Sequence, residues 1–141
     1  MLLISNFADA LAHLIENETG ENISEIIVVD GNSQDNTTEL VKEFSKNSTI
    51  AIRLIQSERG RAKQMNAGAK HSKSTILYFL HADSYPPKNF DQYLIDEVKK
   101  GNLAGCFKMK FNHPHWWLKL ASWFTQFNWS ACRGGDQSQY I

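Results

Sequence analysis

The chain has 141 residues, which is enough for one domain with a hydrophobic core. Hydrophobic residues make up 42% and charged residues 21%, a composition that excludes an intrinsically disordered chain. Basic and acidic residues number 15 each, so the formal net charge is zero and predicts no nucleic-acid partner. The two cysteines, Cys106 and Cys132, lack the spacing of a metal or disulfide site, which favours a reduced, cytoplasmic location. Neither a signal peptide nor a membrane-spanning run is predicted.

The first half of the chain alternates helical and strand patterns. Glu25–Asp30 (EIIVVD) is an unbroken apolar row, typical of a strand buried on both faces in a parallel sheet. A second helix is predicted after the loop at residues 31–36, where Asn36 and Glu39 resemble a capping box. The first predicted helix precedes Glu25–Asp30, and its apolar face consists of Phe7, Leu11, Leu14 and Ile15. The apolar face of the second predicted helix consists of Leu40, Val41 and Phe44.

The second half continues the alternation. Two further strands are predicted at Ile50–Gln56 and Thr75–Leu80, with a short helix at Gly60–Lys70 between them. Another helix carries Phe90, Tyr93, Leu94 and Val98. Gly105–Phe111 alternates apolar and basic residues, as in an antiparallel or edge strand with one wet face. The pattern predicts a single α/β domain over residues 1–141, an α/β/α sandwich with a mainly parallel sheet.

Polar residues follow each predicted strand, at the sheet edge where ligands of such folds bind. The first strand leads into Asp30-Gly31-Asn32-Ser33, and the second strand is followed by Glu58-Arg59-Gly60-Arg61. The third strand is followed by His81-Ala82-Asp83. Together they suit a diphosphate-linked ligand: Asp30 for a base or ribose, Arg61 for phosphate and Asp83 for a divalent ion.

Each of these residues also has a purely structural interpretation. Asp30 and Asp83 can cap turns, because aspartate side chains accept hydrogen bonds from nearby backbone amides. Arg61 can be a solvated helix residue, and His81 an ordinary histidine at a strand end. The functional hypothesis therefore depends on their shared placement.

Three segments resemble family-two glycosyltransferases of the GT-A type: EIIVVDGNSQDNT, ERGRAKQMNAGAK and ILYFLHADSYPP. The resemblance implies a GT-A fold and sugar transfer from a nucleotide-activated donor to an acceptor hydroxyl. By motif position, Asp30 would contact the nucleoside from a loop that includes Gly31 and Ser33, and Arg61 would approach the base or diphosphate. Asp83 matches the last aspartate of the Asp-x-Asp motif and would bind Mg²⁺ or Mn²⁺, with His81 in place of the first aspartate.

The sequence departs from the family pattern at both ends. The family begins with an apolar strand running into Pro-x-x-Asn-Glu, of which residues 1–6 match only the end. It also continues past Gly-Asp-Gln to a Glu-Asp pair that resembles its catalytic base, and this sequence stops at Ile141, before that pair. Asp136 is therefore the catalytic candidate on the acceptor side, and a turn aspartate after two glycines is the alternative. We therefore expect an incomplete site and an exposed sheet edge, leading to a homo-oligomer, an exchanged element or a poorly stable fragment.

Three functional hypotheses stay open at this point. The first is a glycosyltransferase with a uridine- or guanosine-type donor and an acceptor that the sequence does not specify. The second is a noncatalytic nucleotide-sugar-binding module that lacks the base. The third is a flavodoxin-like or receiver-like domain, which the Arg61–Gly68 pattern and His81-Ala82-Asp83 disfavour.

An aromatic helix is predicted at Trp116–Phe127, with Trp116, Leu120, Trp123 and Phe127 at helical spacing. One interpretation is a peripheral membrane contact, because tryptophan favours the lipid–water boundary. The other is a helix that covers the sheet, which the scarcity of basic residues favours. The predicted location is therefore cytoplasmic, with peripheral membrane attachment as the alternative.

Overall fold

The structure, a computed structural model, describes residues 11–17, 22–81 and 84–107, and the backbone of residues 139–140. Residues 11–16 form helix α1. The other elements follow in chain order: β1 (Glu25–Asp30), α2 (Thr37–Asn47), β2 (Ala51–Gln56), α3 (Arg61–His71), β3 (Tyr78–Phe79), α4 (Phe90–Lys99), β4 (Gly105–Cys106) and β5 (Gln139–Tyr140). Several predicted features lie outside the described residues: Phe7, Asp83, Asp136, residues 108–111 of the predicted last strand and the aromatic helix.

β1 and β2 are parallel and pair along their whole length, from Glu25 opposite Ala51 to Asp30 opposite Gln56. β1 has the bounds that the sequence predicts. Because parallel neighbours need a crossover, α2 runs back between them as the connecting helix. The predicted strand–helix–strand unit is therefore confirmed, and with it the α/β class.

The β1–β2 sheet has helices on both faces. Alternate side chains of a strand point to opposite faces, so Ile26 and Val29 face different layers. Val29 packs against Gly68 of α3, whereas Ile26 packs on a buried cluster from α1 and α4, with Phe44 of α2. This is the layered α/β/α arrangement that the sequence predicts.

The start of α2 corrects the predicted capping box. Asn36 occupies the N-cap position, but its side chain makes no capping hydrogen bond. Its φ of −78° and ψ of 18° lie outside the extended region that a capping side chain requires. Instead, Asp35 Oδ1 accepts hydrogen bonds from the backbone N–H and the hydroxyl of Thr37.

The third predicted strand is shorter than expected and has different neighbours. Of Thr75–Leu80, only Tyr78–Phe79 is a strand, and it pairs antiparallel with β5. β5 also pairs antiparallel with β4, so the order is β3-β5-β4. Among the described residues β3 does not pair with β1, because a groove of about 1310 Å³ separates the two strands. We call it the β1–β3 groove; residues 25–29 and 72–81 line much of it.

The groove also explains why β1 is less buried than its sequence predicts. Its four consecutive apolar residues are only half-buried, and Asp30 alone is buried. A strand flanked on both edges would be expected to bury them, as in the interior of a parallel sheet. In the described part of the chain, one edge of β1 instead lines the β1–β3 groove.

The described hydrophobic core lies on the α1 and α4 side of the sheet. It consists of Leu11, Leu14, Phe90 and Leu94, and Phe90 is only 2% exposed. The Tyr78 ring lies 5.1 Å from the Phe90 ring and therefore ties β3 to α4. Burying each such side chain contributes about 1.5–3 kcal/mol. Within the described ranges, no helix has both the length and the apolar character to cross a bilayer.

Candidate functional site

Asp30 ends β1 and is buried, with 4% of its surface exposed. Its Oδ1 atom accepts a hydrogen bond of 3.0 Å from the Ser33 backbone N–H. Its backbone oxygen accepts a second, of 2.9 Å, from the Ser57 N–H just after β2. The turn-capping interpretation of Asp30 is thus confirmed for one carboxylate oxygen. This bond fixes the carboxylate at the carboxyl end of the strand.

Gly31 and Ser33 belong to the turn that Asp30 holds. Ser33 is exposed, and its backbone N–H donates the hydrogen bond to Asp30 Oδ1. Asn32, between them, has a φ of 63°, a left-handed conformation that asparagine tolerates. Gly31 lies against Gln64 of α3, so closely that an added Cβ would come within 2.9 Å of Gln64 Nε2. The turn therefore contacts α3 directly.

Gly60 and Arg61 form the start of α3. Gly60 is the N-cap, with a φ of 136° that strongly favours glycine. Among the described residues no side chain caps this end and no acidic residue lies in the first turn, so no carboxylate of the helix offsets the positive end of its dipole. Arg61 is half-buried and lines the β1–β3 groove. Lys63, one turn on, forms an exposed ion pair with Glu58.

Two contacts hold α3 against β1 near this rim. Gln64 Nε2 donates a 3.1 Å hydrogen bond to the backbone oxygen of Val29. Further along the helix, an added Cβ on Gly68 would lie 3.2 Å from Val29 Cγ2, so glycine allows the close approach. Arg61 is one turn before Gln64, which places the start of α3 beside the Asp30 turn. The structure thus brings together two of the three predicted groups.

His81, the third group, follows β3 and is half-buried in the same groove. Its backbone oxygen accepts a 3.0 Å hydrogen bond from the Ser84 N–H. Asp83 itself lies outside the described residues, as does Asp136. Where the structure describes the chain, no group of three or more His, Cys, Asp or Glu side chains is placed to hold a metal.

Glu25, which the sequence analysis passed over, forms a clamp at the opposite end of β1. Its carboxylate accepts hydrogen bonds from Arg53 Nη1 at 3.0 Å, Ser72 Oγ at 3.2 Å and the Lys73 backbone N–H at 2.9 Å. Chiefly the Lys73 N–H, aided by Arg53 and Ser72 against the effect of burial, lowers the pKa of Glu25 below its usual value. The clamp joins β1, β2 and the end of α3.

Gln64 was also missed, for a recognisable reason. An apolar pattern identifies the inner face of a helix by its hydrophobic residues, and glutamine carries no hydrophobic signal. Its position, three residues after Arg61 and four before Gly68, does put all three near one face of the helix. Helical spacing alone could therefore have placed it beside β1.

Residues 4–137 match the sequence profile described as Glycosyl transferase family 2. Among curated proteins, the chain is similar to a poly-beta-1,6-N-acetyl-D-glucosamine synthase of Staphylococcus epidermidis, with 31% identity over 98 residues. That match covers 70% of the chain and 23% of the relative. The enzyme of the same name from Staphylococcus aureus strain COL is 31% identical over 82 residues, which cover 58% of the chain and 20% of the relative.

The chain therefore spans less than a quarter of the length of these relatives. No solved structure shows a significant match to it.

Proposed function

The chain belongs to glycosyl transferase family 2, and we propose on that premise that it binds a nucleotide sugar and transfers the sugar to an acceptor hydroxyl. The observation that carries this proposal is the rim at which the buried Asp30 turn meets the start of α3. A carboxylate and a cationic helix start, side by side at the carboxyl end of a parallel sheet, suit a nucleoside diphosphate.

Asp30 is proposed to hold the nucleoside. Oδ1 is occupied by the Ser33 N–H, so Oδ2 is the atom available to accept a hydrogen bond from a base or ribose. Because Asp30 is buried and held at both its backbone and its side chain, little further ordering is needed when the ligand binds. Gly31 and Ser33 form the wall of this part of the site.

Arg61 and the first turn of α3 are proposed to hold the diphosphate. A guanidinium group can donate two parallel hydrogen bonds to phosphate oxygens, and the helix N-terminus adds backbone donors and the dipole. Both groups would stabilise the negative charge that develops on the leaving diphosphate during sugar transfer. Lys63 is a weaker candidate, because its ammonium group already pairs with Glu58.

A divalent cation is proposed at His81 and Asp83. His81 lines the groove that contains Arg61, and its imidazole nitrogen combined with a carboxylate suits Mn²⁺ better than Mg²⁺, which prefers oxygen ligands. If bound there, such an ion would supply positive charge to stabilise the leaving diphosphate.

The sugar proposed for the donor is N-acetylglucosamine, because the similar staphylococcal proteins are named poly-beta-1,6-N-acetyl-D-glucosamine synthases. Asp136 is the proposed catalytic base, which would deprotonate the acceptor hydroxyl. A chain that binds the donor without transferring the sugar would instead be the noncatalytic module considered above.

The direct test is calorimetric titration with UDP-N-acetylglucosamine, UDP-glucose and GDP-mannose, each with and without Mn²⁺. Asp30→Asn is the sharpest variant, because the amide oxygen can still accept from the Ser33 N–H while the charge is removed. We expect Asp30→Asn and Arg61→Met each to weaken binding about tenfold or more. Lys42→Met, exposed on α2, is the matched control and should bind normally.

Turnover is followed separately as UDP released in the presence of chitooligosaccharide acceptors. UDP release that is lost in Asp136→Asn supports transfer with Asp136 as the base. Binding with no release supports the noncatalytic module. If no donor binds with or without Mn²⁺, the proposed function is wrong for this chain.

A further inference from the structure

The two edges of β1 are distinguished by where its last carbonyl groups point. The Asp30 oxygen points toward β2, because it accepts from the Ser57 N–H at 2.9 Å. Carbonyl groups alternate in direction along a strand, so the Val29 oxygen points to the opposite edge, toward the β1–β3 groove. There Gln64 Nε2 donates to it at 3.1 Å. A side chain of α3 thus occupies the place where a neighbouring strand would present an N–H.

The surroundings of the Gln64 amide leave room for this bond. An added Cβ on Gly31 would lie 2.9 Å from Gln64 Nε2 and 3.1 Å from Cδ. The φ of Gly31 is not in the left-handed region, so the backbone there does not require glycine. Glycine at position 31 instead leaves space for the Gln64 amide, because it has no Cβ.

We propose that Gln64 is a positioning residue that sets Arg61 against the Asp30 turn for diphosphate binding. Its hydrogen bond to Val29 holds the first turns of α3 at the end of β1, and Arg61 lies one turn before it. Gln64 acts through Arg61 and need not touch the donor. This inference rests on the proposed function, since it presumes a diphosphate at the rim.

The test uses Gln64→Met, which keeps the length of the side chain and removes its donor. Gln92→Met is the matched control, because Gln92, an exposed residue of α4, makes a comparable 2.8 Å side-chain hydrogen bond to Asp96. Titrations with UDP and with uridine separate the diphosphate from the nucleoside. We expect Gln64→Met to weaken UDP binding about tenfold and to leave uridine binding within about twofold, while Gln92→Met changes neither.

The same substitution in an Arg61→Met background shows whether Gln64 acts through Arg61. We expect Gln64→Met to add less than about a twofold loss of UDP affinity there, because the group that it positions is gone. An equal loss for uridine, or a loss that persists without Arg61, would overturn the inference and leave the proposed function standing.

A second measurement needs no ligand. Gly31→Ala should push the Gln64 amide away from Val29, so Gly31→Ala and Gln64→Ala break the same bond. Their effects on the thermal midpoint should therefore be non-additive, with the double variant no less stable than the worse single variant. Additive effects would overturn the inference whether or not UDP binds. If native protein binds no UDP, the proposed function fails and the role of Gln64 toward the diphosphate fails with it.

Discussion

The two edges of β1 show how the same strand can be tightly held and open at once. Along one edge, β2 pairs with it from Glu25 to Asp30, and the Ser57 N–H extends the pairing by one more hydrogen bond. Along the other edge lies the β1–β3 groove, and in the described part of the chain no strand pairs there. On that side the Gln64 side chain donates a hydrogen bond to the carbonyl group of Val29.

The difference teaches that the proposed donor site depends on the paired edge and on α3 more than on a complete sheet. Asp30 is held by Ser33 in the turn that follows β1 and by Ser57 just after β2. Arg61 is placed by a helix that packs on the face of β1 through Gly68 and Gln64. At the groove edge the proposed site depends on the hydrogen bond from Gln64 to Val29, and Arg61 and His81 both line the groove.

The largest expected effect concerns the core beneath the groove. Phe90→Ala should lower the free energy of unfolding by about 3–5 kcal/mol, because it leaves a cavity among Leu11, Leu14 and Leu94. Tyr93→Ala, on the same helix but 58% exposed, is the control and should change it by less than about 0.5 kcal/mol. Urea denaturation followed by tryptophan fluorescence measures both. If Phe90→Ala cost no more than Tyr93→Ala, the groove side would not be part of the cooperative core.

Hydrogen exchange tests the two edges directly. Because N–H groups alternate as carbonyl groups do, the amides of Ile26 and Val28 face β2, whereas those of Ile27 and Val29 face the groove. We expect exchange at Ile27 and Val29 to be roughly a hundredfold faster than at Ile26 and Val28, since no strand in the described part of the chain pairs with that edge.

Equal protection of the four amides would contradict the difference between the two edges of β1, because it would mean that another strand pairs with the groove edge in solution. Repeating the measurement at several protein concentrations identifies that strand. Protection that rises with concentration would point to a second copy of the chain, the homo-oligomer expected from an exposed edge. Protection independent of concentration would point to a segment of the same chain.

Much of this architecture could be predicted from sequence because local pattern determines it. The apolar row of Glu25–Asp30 and its polar successors identify both the strand and the rim where the ligand is proposed to bind. The α/β/α layering follows from alternation of helices and strands, and the family from three motifs in order.

The missed features depend on contacts between distant segments. The short β3 reflects its pairing with residues 139–140, about sixty positions away, which no local pattern reveals. Gln64 and Glu25 act as hydrogen-bonding partners of backbone groups, so their roles appear only when the helix and strand are placed together. Asn36 failed as a cap because its backbone angles, rather than its residue type, decide the bond.

A smaller effect is expected where α3 packs on the face of β1. Gly68→Val should destabilise the fold by about 1–3 kcal/mol, because even a Cβ at this position would lie 3.2 Å from Val29 Cγ2. Ala62→Val, at an exposed position of the same helix, carries the same β-branched penalty without the clash. The difference in thermal midpoint between Gly68→Val and Ala62→Val measures the cost of the clash with Val29. Equal midpoints would show that α3 can shift away from β1 at little cost.

The smallest effect concerns the Glu25 clamp and is visible as a pH dependence. Hydrogen bonds from the Lys73 N–H, Arg53 and Ser72 lower the pKa of Glu25, so its folded pKa lies below the unfolded value of about 4.3. The carboxylate therefore contributes stability above that unfolded value, and the contribution is lost as pH falls through the folded pKa. Glu25→Gln should cost about 1 kcal/mol at pH 7.

The difference between native protein and Glu25→Gln should then shrink as the pH is lowered below about 4.3 in urea titrations. Glu97→Gln is the control, because hydrogen bonds from Lys100 and Asn102 lower the pKa of Glu97 too, but on an exposed stretch of α4 where solvent screens the charge. If both variants followed the same pH profile with the same amplitude, the clamp would add nothing beyond a surface ion pair. The closed edge of β1 would then depend on its ladder with β2 alone.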